Sequence, residues 1–382
     1  MNRVEIHPQL LRWAIHRAGA SQTRMALRFP RLADWLGGVA RPTLKQLEAF
    51  AKATYTPVGY FFLPEPQVEA VPIPDFRTVG SVPIDRPSAN LLDMIYVCQQ
   101  RQEWYRDFAR SSGEPSLPFV GSVRLGADVV TVATDIRKTL GFDLDERARA
   151  RTWEEALRTF ISNADDAGIM VMCSGIVMSN THRKLDPAEF RGFAIADPLA
   201  PLIFVNGADT KSAQMFTLAH ELVHVWLGQT ALSNAQASEL SASTAEQWCN
   251  AVAAELLVPI DQMRETYDRT ADLNLEMARL ARRFKVSTLV ILRRIFDVGV
   301  LTRDEFWSAY AIELERLRGL RPESGGGDFH LTEAVRVSRR FARALVASTL
   351  EGQTLYRDAF RMLGFSKMGT FNTFGRSLGI ES

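Results

Sequence analysis

The stretch "FTLAHELVHVWLG", Phe216 to Gly228, places two histidines four residues apart with an acid beside the first, inside a run otherwise apolar enough for a buried helix. Successive helical residues turn by about 100°, so His220 and His224 lie about 40° apart and project side by side, with Glu221 next to them. Two imidazoles and a carboxylate buried without a partner would cost several kcal/mol each, comparable to the stability margin of a whole domain. A metal ion removes that cost. This is the HExxH spacing, in which the histidines hold zinc and the glutamate acts as general base. With only six histidines in 382 residues, chance does not account for it.

A catalytic zinc takes three protein ligands and keeps one position open. Downstream carboxylates are Glu239, Glu246 and Glu255. In "STAEQWCNAVAAELLVP" the apolar stripe is Cys249, Val252, Ala253, Leu256 and Leu257; Glu246 sits at its edge, whereas Glu255 falls about 180° from Glu246. Glu239 precedes the expected cap at Ser243 or Thr244 and belongs to a loop. Glu246 is therefore the expected third ligand, with Asn250, one turn on, a hydrogen-bonder behind the ligands. The expected reaction is hydrolysis of a peptide bond: zinc acidifies water and polarises the carbonyl, and Glu221 carries the proton to the leaving amine. His182 and Tyr267 are candidates to stabilise the oxyanion, although spacing places neither.

Composition bounds the setting. The chain is 46% hydrophobic with a formal net charge of +1, which fits two or three globular domains and gives no whole-molecule attraction to a polyanion. Charge is uneven: residues 1–63 hold nine Lys and Arg against three Asp and Glu, and residues 328–382 hold eight against five. Cys98, Cys173 and Cys249 are far apart with no CxxC spacing, as expected of free thiols in a reducing compartment. The start "MNRVEIHPQL" lacks an apolar leader, and "GIMVMCSGIVM" is about half of a membrane span of ~20 residues, so a soluble cytoplasmic protein with no membrane partner is expected.

Around the opening stretch the expected class is α+β and predominantly helical: a small β-sheet packed on a zincin-type helix pair, with helical modules at both ends. Residues 1–64 read as short helices, and 65–88 as a proline-rich linker or wrapping strand. Residues 89–125 read as a helical connector, and 126–300 as the metallopeptidase domain. Residues 301–327 read as a helix and a glycine-rich break ("LRPESGGGD"), and 328–382 as a small helical domain. Within 126–300, "GIMVMC", "RGFAIAD" and "PLIFVNG" are strand-like, the last two spaced as a hairpin.

On "LIFVNGADTKSAQMFTLAHELVH" followed by "AEQWCNAVAAELLVP", residues 126–300 resemble the ImmA/IrrE family of zinc metallopeptidases. The resemblance implies a gluzincin-like metalloendopeptidase with His220, His224 and Glu246 as zinc ligands and Glu221 as base. It also implies DNA-binding repressors as substrates, whose cleavage releases stress or mobile-element genes. "LARRFKVSTLVILRRIFDVG" resembles a helix-turn-helix-like element, expected to serve as scaffold. The first module resembles an XRE-type helix-turn-helix ("LRWAIHRAGAS", "ADW", "RPTLKQLEAFAKAT"), which makes DNA a candidate partner. Only "LRFPRLAD" separates Ala26 from Trp35, however, so the groove-reading helix is expected to be short, and Leu36 replaces the customary acid. Arg336, Arg339, Arg340 and Arg343 form a basic cluster, expected to be a solvated face. The rival reading is a transcription regulator or antitoxin-like binder of a toxin-like partner, its zinc site structural or vestigial.

Overall fold

The structure, a computed structural model, describes residues 3–75, 78–79, 82–83, 87–233, 243–318 and 329–380. Glu239 and the glycine-rich break at 320–328 lie outside the described residues, as does part of the proline-rich segment. The chain divides into two compact units, Met1–Pro72 with Asp85–Ile95, and Ile73–Ile84 with Tyr96–Ser382. Among the described residues no helix is long and apolar enough to cross a membrane.

The first unit holds α1 (Pro8–Arg17), α2 (Gln22–Arg28), α3 (Leu32–Leu36), α4 (Leu44–Ala53) and a 3-10 turn at Val58–Phe62. Pro8 starts α1 where a missing N–H costs nothing, and Thr43 caps α4 in a reciprocal box with Gln46. Their apolar faces meet on Phe50, whose ring stands edge-on to Phe29 at 5.4 Å. The shortened helix expected before Gly37 is α3, five residues long, with Leu32, Trp35 and Leu36 buried.

In the second unit the proline-rich segment supplies β1 (Thr78–Val79) and β2 (Val82–Pro83), and α5 (Ala89–Ser111) continues into it. Next come α6 (Val129–Leu140), α7 (Leu144–Arg149) and α8 (Trp153–Asp166). The strands are β3 (Met170–Ser174), β4 (Ile176–Val177), β5 (Asn180–Lys184), β6 (Gly192–Ile195) and β7 (Leu202–Asn206). The motif helix α9 (Lys211–Leu227) leads to β8 (Ala231–Ser233) and then α10 (Thr244–Leu257). The sheet runs β3-β7-β6-β8, with β3 parallel to β7 and both other pairings antiparallel. The expected hairpin is the β6–β7 pair. β6 and β7 are buried along their whole length, so they read as unbroken apolar runs without alternation. Leu232 donates its N–H to Pro74 O at 2.8 Å, so part of the proline-rich segment lies extended against β8, as a wrapping strand would.

Helix α9 is buried from Gln214 to Trp226 because β6 and β7 flank it on one side and α8 and α10 on the other. Thr210 caps its start. Gly228 ends it at φ +67, where a Cβ would also stand 2.9 Å from the Gly121 Cα, so the position excludes other residues twice over.

Beyond α10 follow α11 (Ile260–Thr266), α12 (Leu273–Phe284), α13 (Thr288–Asp297) and α14 (Arg303–Arg318). α12 and α13, the helix-turn-helix-like segment, bury Leu280, Phe284, Ile291 and Ile295 in the main core and are scaffold. α15 (Phe329–Val337) and α16 (Arg339–Leu350) pack on β3, followed by α17 (Tyr356–Leu363) and α18 (Met368–Ser377). The Arg101 guanidinium ties α5 to α17 by donating to Met362 O at 3.0 and 2.8 Å. The expected basic face is divided: Arg336 and Arg340 are half-buried in ion pairs with Glu333 and Glu114, both at 2.9 Å, and only Arg339 and Arg343 are exposed. The acids of α15 and of the turn after α5 recruit them.

Candidate metal centre

α9 presents His220 and His224 one turn apart, and α10, packed alongside, presents Glu246 from its first turn. Glu246 Oε2 lies 3.2 Å from His220 Nε2, Glu246 Oε1 lies 3.2 Å from His224 Nε2, and the two Nε2 atoms are 3.1 Å apart. All three side chains are buried. Four-coordinate binding with bonds of about 2.0–2.2 Å separates ligand atoms by about 3.3–3.6 Å, so the donors stand close to the spacing a tetrahedral ion requires. Two imidazole nitrogens and a carboxylate oxygen also form a donor set that such an ion accepts. These residues therefore fit a metal.

Electrostatics points the same way. Burial would depress His220, but the Glu246 carboxylate beside it raises its pKa above the ordinary imidazole value. Burial outweighs the same carboxylate at His224 and lowers its pKa. Burial would raise Glu246, but the paired imidazoles hold it well below the usual carboxylate range, so it stays an anion ready to ligate. At Glu221 burial outweighs the neighbouring His220 and the Ser233 hydrogen bond and pushes its pKa up to about 8. Its Oε2 is buried without a hydrogen bond among the described residues.

The remaining expectations divide. Asn250, one turn after Glu246, stands near His220, but its Oδ1 and the His220 Nδ1 are both buried without a hydrogen bond among the described residues. Glu255 does point away from the imidazoles, into a second buried pair: Arg294 donates to it, as does the Ile260 N–H at 3.2 Å. His182 is exposed on β5 and is not one of the grouped ligands, and Tyr267 is half-buried just after α11. Sequence reasoning missed Ser233, whose hydroxyl donates to Glu221 Oε1, and Gly192, whose Cα faces Ser233 across the β6–β8 ladder. A three-residue strand carries no periodicity by which Ser233 could have been found.

One buried helix supplying both imidazoles and its neighbour a carboxylate, under a small mixed sheet, is the arrangement of a metal-dependent peptidase domain. Residues 164–296 match the family model described as the IrrE N-terminal-like domain. Residues 337–377 match a model described as a domain of unknown function. Over 146 residues the chain is 30% identical to the radiation response metalloprotease IrrE of Deinococcus radiodurans, covering 37% of this chain and 43% of that protein. The chain thus spans less than half the length of the curated relative it matches. The residues whose ligand atoms converge, His220, His224 and Glu246, all lie within the matched region.

Proposed function

We propose that the chain is a zinc-dependent, site-specific endopeptidase that cuts a regulatory protein, and that the substrate is a DNA-binding repressor. The observation that carries this reading is the convergence of ligand atoms from His220, His224 and Glu246 within 4.8 Å, with Glu221 buried beside them. In it, His220, His224 and Glu246 hold zinc and Glu221 is the general base. Zinc supplies Lewis acidity, acidifying water and polarising the scissile carbonyl. Glu221 takes the proton of the attacking water on Oε2 and returns it to the leaving amine. The relative's printed name, a radiation response metalloprotease, supports a stress-response setting.

The test is zinc content together with cleavage of candidate repressors by wild type and Glu221→Gln. Zinc at one equivalent in both, with cleavage by wild type alone, supports the reading; equal cleavage by both overturns the assignment of the base. Comparing protein fragments across cells that express either form identifies the substrate.

A second reading, a DNA-binding regulator, is favoured by the exposed Arg24, Arg28 and Lys45 of the first module. The five-residue α3 argues against base readout, since its three buried residues leave little to reach a groove. Gel shifts on the chain's own promoter and on unrelated DNA, at low and high salt, decide it: a preference for the promoter sustains the reading, and equal affinity for both removes it.

A further inference from the structure

We propose that Ser233 is a positioning residue for Glu221, and that Gly192 provides the space in which the pair is seated. This rests on the peptidase reading of Glu221. Three observations carry it. The fully buried Ser233 hydroxyl donates to Glu221 Oε1, while Oε2 has no hydrogen bond among the described residues. Gly192 stands opposite Ser233 in the β6–β8 register. A Cβ at position 192 would lie 3.1 Å from Glu221 Oε1, 2.9 Å from Phe204 O and 2.6 Å from Thr217 Cγ2, so the carboxylate rests where only a glycine strand leaves room.

The physical consequence is selectivity between two otherwise equivalent oxygens. A free glutamate side chain loses rotamer freedom on being fixed. Here the fixing is done before substrate arrives. With Oε1 engaged as an acceptor, Oε2 is the oxygen left to take the proton of the attacking water and to release it to the leaving amine. Ser233 keeps its own proton throughout and touches neither water nor peptide. Its hydroxyl reaches the site from β8, the short strand after α9, so the placement of the base depends on sheet register as well as on the motif helix.

The experiment compares Ser233→Ala, which deletes the donor, with Ser233→Thr, which keeps a hydroxyl on a strand-favouring residue. Crystal structures of wild type and both variants, without added metal, give the Glu221 carboxylate position. Zinc stoichiometry is measured on each. Turnover is measured on the best-cleaved peptide from a library made by digesting denatured cell protein. The expected result is a Glu221 carboxylate displaced in Ser233→Ala and held in Ser233→Thr, with zinc stoichiometry unchanged in both. Alongside it, kcat falls about 10–100-fold in Ser233→Ala at unchanged KM and recovers most of the way in Ser233→Thr. A purely structural serine would lower the amount of folded enzyme without this split or rescue. A carboxylate unmoved in Ser233→Ala overturns the proposal, as does a threonine variant as slow as the alanine one. If wild type cleaves no peptide, the peptidase reading loses its support, and the carboxylate positions still decide the seat.

Discussion

Asp165 offers a sharp check on the energetics of the second unit. It sits at the end of α8 and is only 7% exposed. Its carboxylate accepts from Val171 N at 3.2 Å, Ser338 Oγ at 2.8 Å and Arg339 N at 3.1 Å, linking α8, β3 and the start of α16. It also steadies Ser338, a non-glycine residue at φ +65. Burial nevertheless dominates these donors and pushes the pKa from 3.8 up to about 6. A raised carboxylate pKa means that the folded state binds the proton more tightly. The stabilisation is full below about pH 4, is lost as pH rises through about 6, and totals about 3 kcal/mol at 1.36 kcal/mol per pKa unit. At about pH 5, close to half of it, about 1.4 kcal/mol, remains. Asp165→Asn has no proton to exchange, so it loses that dependence. An amide also turns an N–H toward one backbone donor, costing about 1–3 kcal/mol. That roughly offsets the relief from burying no charge, so the variant should match wild type near pH 7.5 and fall below it near pH 5. Urea unfolding at both pH values gives the double difference, in which all other titrating groups cancel. Pairs of values that agree within about 0.5 kcal/mol would refute the reasoning.

Three further outcomes follow from the same geometry. Glu246→Gln should lower zinc affinity by more than about 100-fold, since losing a partner behind a ligand already costs about 10–100-fold; competition against a chromophoric chelator measures it. Arg294→Met should destabilise by about 3–5 kcal/mol by stranding the Glu255 carboxylate, visible as a lower urea midpoint; an unchanged midpoint would show that the Ile260 N–H suffices alone. Gly228→Ala should cost about 1–3 kcal/mol, because it adds strain at positive φ to a clash with Gly121; a thermal midpoint equal to wild type would contradict this.

The legible parts of the molecule are those whose cause is local. Helix α9 announces itself by a threonine cap, a glycine stop and a four-residue histidine spacing, and a single helical turn count separates Glu246 from Glu255. β3, β6 and β7 are readable because strands buried on both faces need continuous apolar runs. What escaped has its cause elsewhere in the chain. β8 is three residues long and exists because β6 offers it a ladder, and the short β4 is a strand only by its pairing with β5. The Glu255–Arg294 pair joins residues 39 apart, and Asp165 meets Ser338 across 173. Ser233 and Glu221 are twelve apart and lie on different elements. The motif therefore names which side chains meet, while the non-local sheet register decides how the one that moves a proton is held. That division explains why a five-residue motif suffices to recognise the chemistry, and why the orientation of its base emerges only once β8 is seen paired to β6.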